Sequence, residues 1–214
     1  MNARLSNLQP LPAALFPQSA PHPARRHLVD HFPLDDGAVA RFNRLLARFQ
    51  FAPVDADQLA TAARELPLPK AAGRAPDCIE QRLKRATSVG LMIADPAWQP
   101  ANGAVVPAGL LLDYVRSSRD LIPDDLPRIG RLDDAIVIDA AWPRLADEVD
   151  SYLDYCRIRL IEAGLRGCAV ADFAFSRADW EQARQAETAW IAHTRASGRR
   201  SYLPSPPPNH FRVC

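Results

Sequence analysis

Apolar residues in this chain recur mostly at three- and four-residue spacing, the period of a helix with one buried face. In "DDGAVARFNRLLARFQF" they fall at Val39, Phe42, Leu45, Leu46 and Phe49, behind acidic residues placed to cap the first turn. "VDADQLATAARELP" repeats the pattern more briefly, with Asp55 as cap and Pro67 as stop, so the two segments predict a helical hairpin. Ile79, Leu83, Ala86, Val89, Gly90 and Ile93 predict a third helix between prolines, and "PAGLLLDYVRSS" a short fourth that starts near Pro107. From Asp133 to Gly164 the period is again helical, and Pro143 either kinks this segment or restarts it as a new helix. "CAVADFAF" reads as a brief strand or an extended link. "SRADWEQARQAETAWIAHTRASG" closes the series, capped by Ser176, carrying Trp180, Ala183, Glu187 and Trp190 in register, and ending at Gly198.

The pattern predicts an all-α fold, a single helical domain of about six helices over residues 35–198. Residues 1–34 carry many prolines and no sustained period, so they are expected to be extended and disordered. The tail at 199–214, "RRSYLPSPPPNHFRVC", is polyproline-like and suited to docking on a protein partner.

Composition narrows the function. Of 214 residues, 48% are hydrophobic, enough for one real core. Lys and Arg number 26 against 25 Asp and Glu, so no global field recruits nucleic acid, and no nucleic-acid partner is expected. Cys78, Cys156, Cys168 and Cys214 form no C-x-x-C pair, which points to reduced thiols and a cytoplasmic protein. Pro10, Pro12 and Pro17 break any leader-type apolar helix. The longest uncharged run, Pro96 to Leu112, is interrupted by Pro100, Gly103, Pro107 and Gly109, so no transmembrane span is expected. No G-x-S-x-G, P-loop or G-x-G-x-x-G occurs, leaving hydrolase and nucleotide-cofactor readings without a starting point. His27 and His31 have metal-compatible spacing, but Pro33 follows and no glutamate accompanies them. Trp98, Trp142, Trp180 and Trp190 are expected to fill the core or its grooves.

One stretch departs from this plain background. "RDLIPDDLPRIGRLDDA", Arg119 to Ala135, concentrates Asp120, Asp124, Asp125, Asp133 and Asp134 around Pro123, Pro127 and Gly130. The prolines restrict their neighbours and donate no backbone hydrogen bond, so the chain must turn there as a rigid corner. Leu121, Ile122, Leu126, Ile129 and Leu132 are expected to face the core while the carboxylates face outward. Asp133 and Asp134 stand where a helix begins and are expected to cap it, as Asp120 or Asp124 would cap short turns. Arg116, Arg119, Arg128 and Arg131 are in reach to pair with the carboxylates. The same five aspartates, Asp120, Asp124, Asp125, Asp133 and Asp134, are also the candidate ligands for Mg²⁺ or Ca²⁺, because hard divalent ions take several carboxylate oxygens.

"DLIPDDLPRIGRLDDAIV" resembles the D-L-I-P-D-x-x-P-x-x-G-x-x-D-D core of the YkvA-like domain of unknown function, at Asp120, Pro123, Asp124, Pro127, Gly130, Asp133 and Asp134. The resemblance covers only about Gly109 to Trp142. It implies a small helical module of bacterial proteins, often described as membrane-associated, with no established activity. Here Arg116, Arg119, Asp139 and Arg144 interrupt the apolar flanks, so a membrane surface rather than membrane insertion is the expectation. The leading expectation is a non-enzymatic helical protein with a protein-interaction or peripheral membrane role. The alternative is a divalent-cation-dependent enzyme that uses the Asp120–Asp134 carboxylates.

Overall fold

A computed structural model of the chain describes residues 8–16, 28–29, 32–69, 74–117 and 119–200, without the side chains of 197–200. The fold is all-α apart from one two-stranded antiparallel ribbon, β1 (Leu28–Val29) with β2 (Phe32–Pro33), in which Val29 faces Phe32. The chain divides into two compact units, Met1–Asp154 and Tyr155–Cys214. Among the described residues no helix is long and apolar enough to cross a membrane.

The first unit opens with α1 (Asp36–Arg48), capped as expected by the Asp35 carboxylate, which accepts from the Ala38 N–H at 2.7 Å. The linker after it is pinned by the Asn43 amide, which donates to the Val54 carbonyl at 2.8 Å and accepts from its N–H at 2.9 Å. A capping box of Asp55 and Gln58 starts α2 (Ala56–Glu65), and the chain leaves it at Leu66, just before Pro67. The proline-rich amino end is more involved than its sequence suggests. The 3-10 turn Ala13–Leu15 and β1 both pack on α2, and Leu11, Leu15 and Val29 are buried.

Three helices make the centre: α3 (Asp77–Ala94), α4 (Asn102–Val115) and α5 (Leu132–Ala141) pack pairwise on one another. Helix α4 starts five residues before Pro107, not at it, and takes the proline into its interior. That costs one intrahelical hydrogen bond, offset by the burial of Pro107 beside Ala104, Ala108 and Leu111. Nine of the ten residues of α5 are buried, Asp133 and Asp134 among them, so it buries its whole circumference instead of one stripe, as a helix enclosed by its neighbours must. Pro143 restarts the chain in a short 3-10 turn, Trp142–Arg144, before α6 (Ala146–Leu165).

In the second unit, Tyr155 stacks on Phe175 with ring centroids 5.6 Å apart and donates its hydroxyl to the Phe175 carbonyl at 2.8 Å. "CAVADFAF" is therefore an extended link with turns, held to α6 by its aromatic end. Helix α7 (Arg177–Arg200) is capped at Ser176, whose hydroxyl accepts the Asp179 N–H at 3.3 Å while the Asp179 carboxylate accepts the Ser176 N–H at 2.7 Å. The helix runs through Gly198, and Trp190 is 67% exposed, a surface residue where the sequence pattern expects a filler. Trp98, by contrast, is a core residue, edge-on to Tyr152 at 5.7 Å.

Candidate functional site

The corner between α4 and α5 is built from backbone turns. Leu126 N–H meets the Pro123 carbonyl, Ile129 N–H the Pro127 carbonyl, and Gly130 N–H the Leu126 carbonyl, at 3.1, 2.8 and 2.9 Å. Arg128 takes a left-handed conformation, φ 69°, and its guanidinium reaches the Ala63 carbonyl at 2.7 Å, near the end of α2. Leu121, Ile122, Ile129 and Leu132 are buried, which matches the expected inner face.

The carboxylates do not all point outward. Asp133 and Asp134 are buried, and neither caps α5, whose N-cap residue is Arg131 with no side-chain cap. One oxygen of Asp133, Oδ2, instead accepts three hydrogen bonds from across the corner. The Tyr114 hydroxyl donates at 2.7 Å, the Leu121 N–H at 2.9 Å and the Ile122 N–H at 3.2 Å. The capping expectation fails because the two N–H groups that the turn at Leu121 and Ile122 leaves inside the protein need an acceptor more than the first turn of α5 does. Asp124 and Asp134 share Arg131, at 2.5 and 3.4 Å. Asp120 is half-buried and Asp125 is exposed. Of the four arginines expected to pair with these carboxylates, only Arg131 does so among the described residues.

Electrostatics follow from the burial. Asp133 is pushed up to about 6, because desolvation outweighs the hydrogen bonds that favour its anion. Asp134 is pushed up to about 8 by desolvation first, then by the charges of Asp133 and Asp124, against the pull of Arg131. Burial and Asp124 raise Asp120 in the same sense. The Tyr114 hydroxyl is pushed well above its ordinary value by burial and by Asp133, so it acts as a neutral donor. Both Asp133 Oδ1 and Asp134 Oδ1 are buried without a hydrogen-bond partner among the described residues. A carboxyl whose folded value lies above its unfolded value binds its proton more readily in the native state. Its contribution is fully present below about pH 4 and is lost as pH rises through the folded value. The melting temperature is therefore expected to fall between about pH 5 and about pH 8, and Asp134→Asn to flatten that fall. An unchanged slope in the variant would show that Asp134 is not the group responsible.

A second polar cluster was not singled out by the sequence pattern. Arg82, 3% exposed, donates to Asp139 at 2.8 Å, to the Gln9 carbonyl at 2.9 Å and to the Cys78 carbonyl at 2.7 Å. Arg85 lies 3.8 Å from the same carboxylate and sits 4.1 Å over the Trp142 ring. Burial pushes the Arg85 guanidinium down. The signal was present, since Arg82 shares the apolar register of Ile79, Ala86 and Val89, and Asp139 interrupts the apolar run from Ala135 to Ala141. Tyr114 gave no comparable signal, because a tyrosine late in an amphipathic helix is ordinarily just a packing residue.

Cys78, Cys156 and Cys168 are not in disulfides, and Cys214, His27 and His31 lie outside the described residues, as does the tail at 201–214. Among the described residues no group of three or more His, Cys, Asp or Glu side chains is placed to hold a metal ion. The five aspartates of the corner divide into the inward pair Asp133 and Asp134, the Arg131-bound Asp124, and the outlying Asp120 and Asp125. No family model matches the chain, and no curated protein or solved structure matches it either.

Proposed function

We propose that this chain is a non-enzymatic, YkvA-like helical protein whose corner is a scaffold and whose role is to engage a protein partner. The observation that carries this reading is the triple hydrogen bond on Asp133 Oδ2, which commits the central carboxylate of the corner to holding Tyr114, Leu121 and Ile122 in place. Arg131 occupies Asp124 and Asp134 in the same structural way. For the partner surface, α7 offers exposed Trp190, a side chain that supplies much contact area at little entropic cost. A second reading, a divalent-cation enzyme, draws support from the two buried, unpartnered oxygens Asp133 Oδ1 and Asp134 Oδ1.

Thermal melting with and without Mg²⁺ or Ca²⁺ separates the two, because a bound ion stabilises by mass action. The scaffold reading expects no ion-dependent rise. A rise at micromolar to low-millimolar ion, lost in Asp133→Asn and Asp134→Asn, would overturn it in favour of the enzyme. The partner is tested in cells by cross-linking, with a specific adduct expected for the wild type and lost in Trp190→Glu.

A further inference from the structure

A cavity of about 290 Å³ lies between α1 and the end of α4, and its walls are mostly apolar: Ala38, Phe42, Leu45, Leu110, Leu121 and the ring of Tyr114. The Tyr114 hydroxyl is spent on Asp133 and on the Leu121 N–H, so the ring offers the cavity a face without a free polar group. The exposed part of the lining, its mouth, is different. Arg41, Arg119 and a single carboxylate, Asp113, are exposed there, with half-buried Ser117 beside them in the lining. Arg119 is exposed and has no ion-pair partner among the described residues. Arg41 has only a loose contact with Asp35 at 4.0 Å, with the two side chains 66% and 72% exposed. The Ser117 hydroxyl oxygen accepts the Arg119 N–H at 2.9 Å, which leaves its own O–H to donate.

We propose that this cavity binds a small aliphatic monocarboxylate, its tail against Phe42, Leu45 and Leu110 and its head on Arg119 and Arg41. An apolar body is required because the inner wall has no polar group to meet a hydrophilic one. A negative head is required because guanidinium groups outnumber the carboxylate at the mouth two to one. Asp113 disfavours a second negative charge, which argues for a monoacid over a diacid. The volume lies just below the ligand-pocket range of about 300–1,000 Å³, so the chain must be short. The inference stands on this cavity alone and does not depend on the corner being a scaffold.

Isothermal titration calorimetry of the purified chain with octanoate, octanol and octylamine tests it. Octanoate is expected to bind saturably at one site, with octanol about tenfold weaker and octylamine weaker still. Arg119→Gln should weaken octanoate by about tenfold without changing octanol. Asp113→Asn should tighten octanoate several-fold, a gain that a purely structural residue would not produce. Leu110→Trp, which fills the cavity, should abolish binding of both. Arg119 and Asp113 are exposed, so their variants report on the site whether or not Leu110→Trp folds. No saturable octanoate binding, octanol binding as tightly as octanoate, or an Arg119→Gln affinity equal to wild type would each overturn the proposal. Binding to vesicles of phosphatidylcholine and phosphatidylglycerol with none to free octanoate would overturn it in favour of a membrane surface.

Discussion

Gly130→Val is expected to destabilise the first unit by about 3–5 kcal/mol, read as a lower urea midpoint at unchanged slope. A Cβ at this position would collide with the Asp124 carbonyl oxygen and stand 2.7 Å from both the Asp124 carbonyl carbon and the Leu126 oxygen. These are backbone atoms inside the corner, so nothing flexible can move aside. Gly130 is not among the positive-φ residues, and the requirement is for space, not for a left-handed angle. It follows that Gly130→Ala should lose most of what Val loses, since the first carbon already does the damage. Gly109 in α4 is the control: nothing lies within 4 Å of its added Cβ, so Gly109→Ala should hold stability or raise it by up to about 1 kcal/mol. If Gly130→Ala melts like the wild type, the corner does not close on Gly130 through the Asp124 and Leu126 carbonyls.

The contrast between Gly130 and Asp133 shows which parts of the fold are legible in the sequence. Helices α1, α2 and α3 announce themselves because each has one apolar stripe and a proline or acidic boundary, α7 by its period and its serine start, and the caps at Asp35, Asp55 and Ser176 form as those residue types predict. Local chemistry decides such features within one turn of helix. The start of α4 is not legible, because Pro107 reads as a first-turn residue, whereas burial carries it into the helix interior, a tertiary effect with no local trace. The ordered turn and ribbon before Asp35 were hidden for the same reason, since Leu11, Leu15 and Val29 acquire their place only by packing near α2. In the corner, the concentration of Asp and Pro marks a turn built from backbone hydrogen bonds. The roles of its aspartates depended on where two N–H groups would be stranded, and that is set by Tyr114 on the preceding helix and by the path of the turn.

Asp133→Ala should therefore be among the most damaging substitutions in the chain, at about 4 kcal/mol. It leaves the Tyr114 hydroxyl and the Ile122 N–H without their acceptor and the Leu121 N–H with only the Tyr114 hydroxyl oxygen at 3.2 Å, and each stranded buried donor costs about 1–3 kcal/mol. Asn restores an acceptor in the same place but sets an amide N–H₂ where Asp133 Oδ1 has no partner among the described residues, so Asp133→Asn should cost about 1–2 kcal/mol. A helix cap would give a smaller difference, because Asn and Asp cap almost equally well. The pH dependence adds a second readout. Asp133 is pushed up to about 6, so the wild type loses stability as pH rises through that value, while the Asn variant has no such proton to lose. The deficit of Asp133→Asn should accordingly shrink between about pH 4 and about pH 6 and stay constant above that. Tyr114→Phe removes one of the three donors, and combined with Asp133→Ala it should cost less than the sum of the two single changes, because the stranded hydroxyl is gone. Asp125→Ala, at an exposed position of the same corner, sets the baseline at within about 0.5 kcal/mol. Should Asp133→Ala fall in that baseline, or the double variant prove strictly additive, the carboxylate would not be the acceptor that holds the corner together.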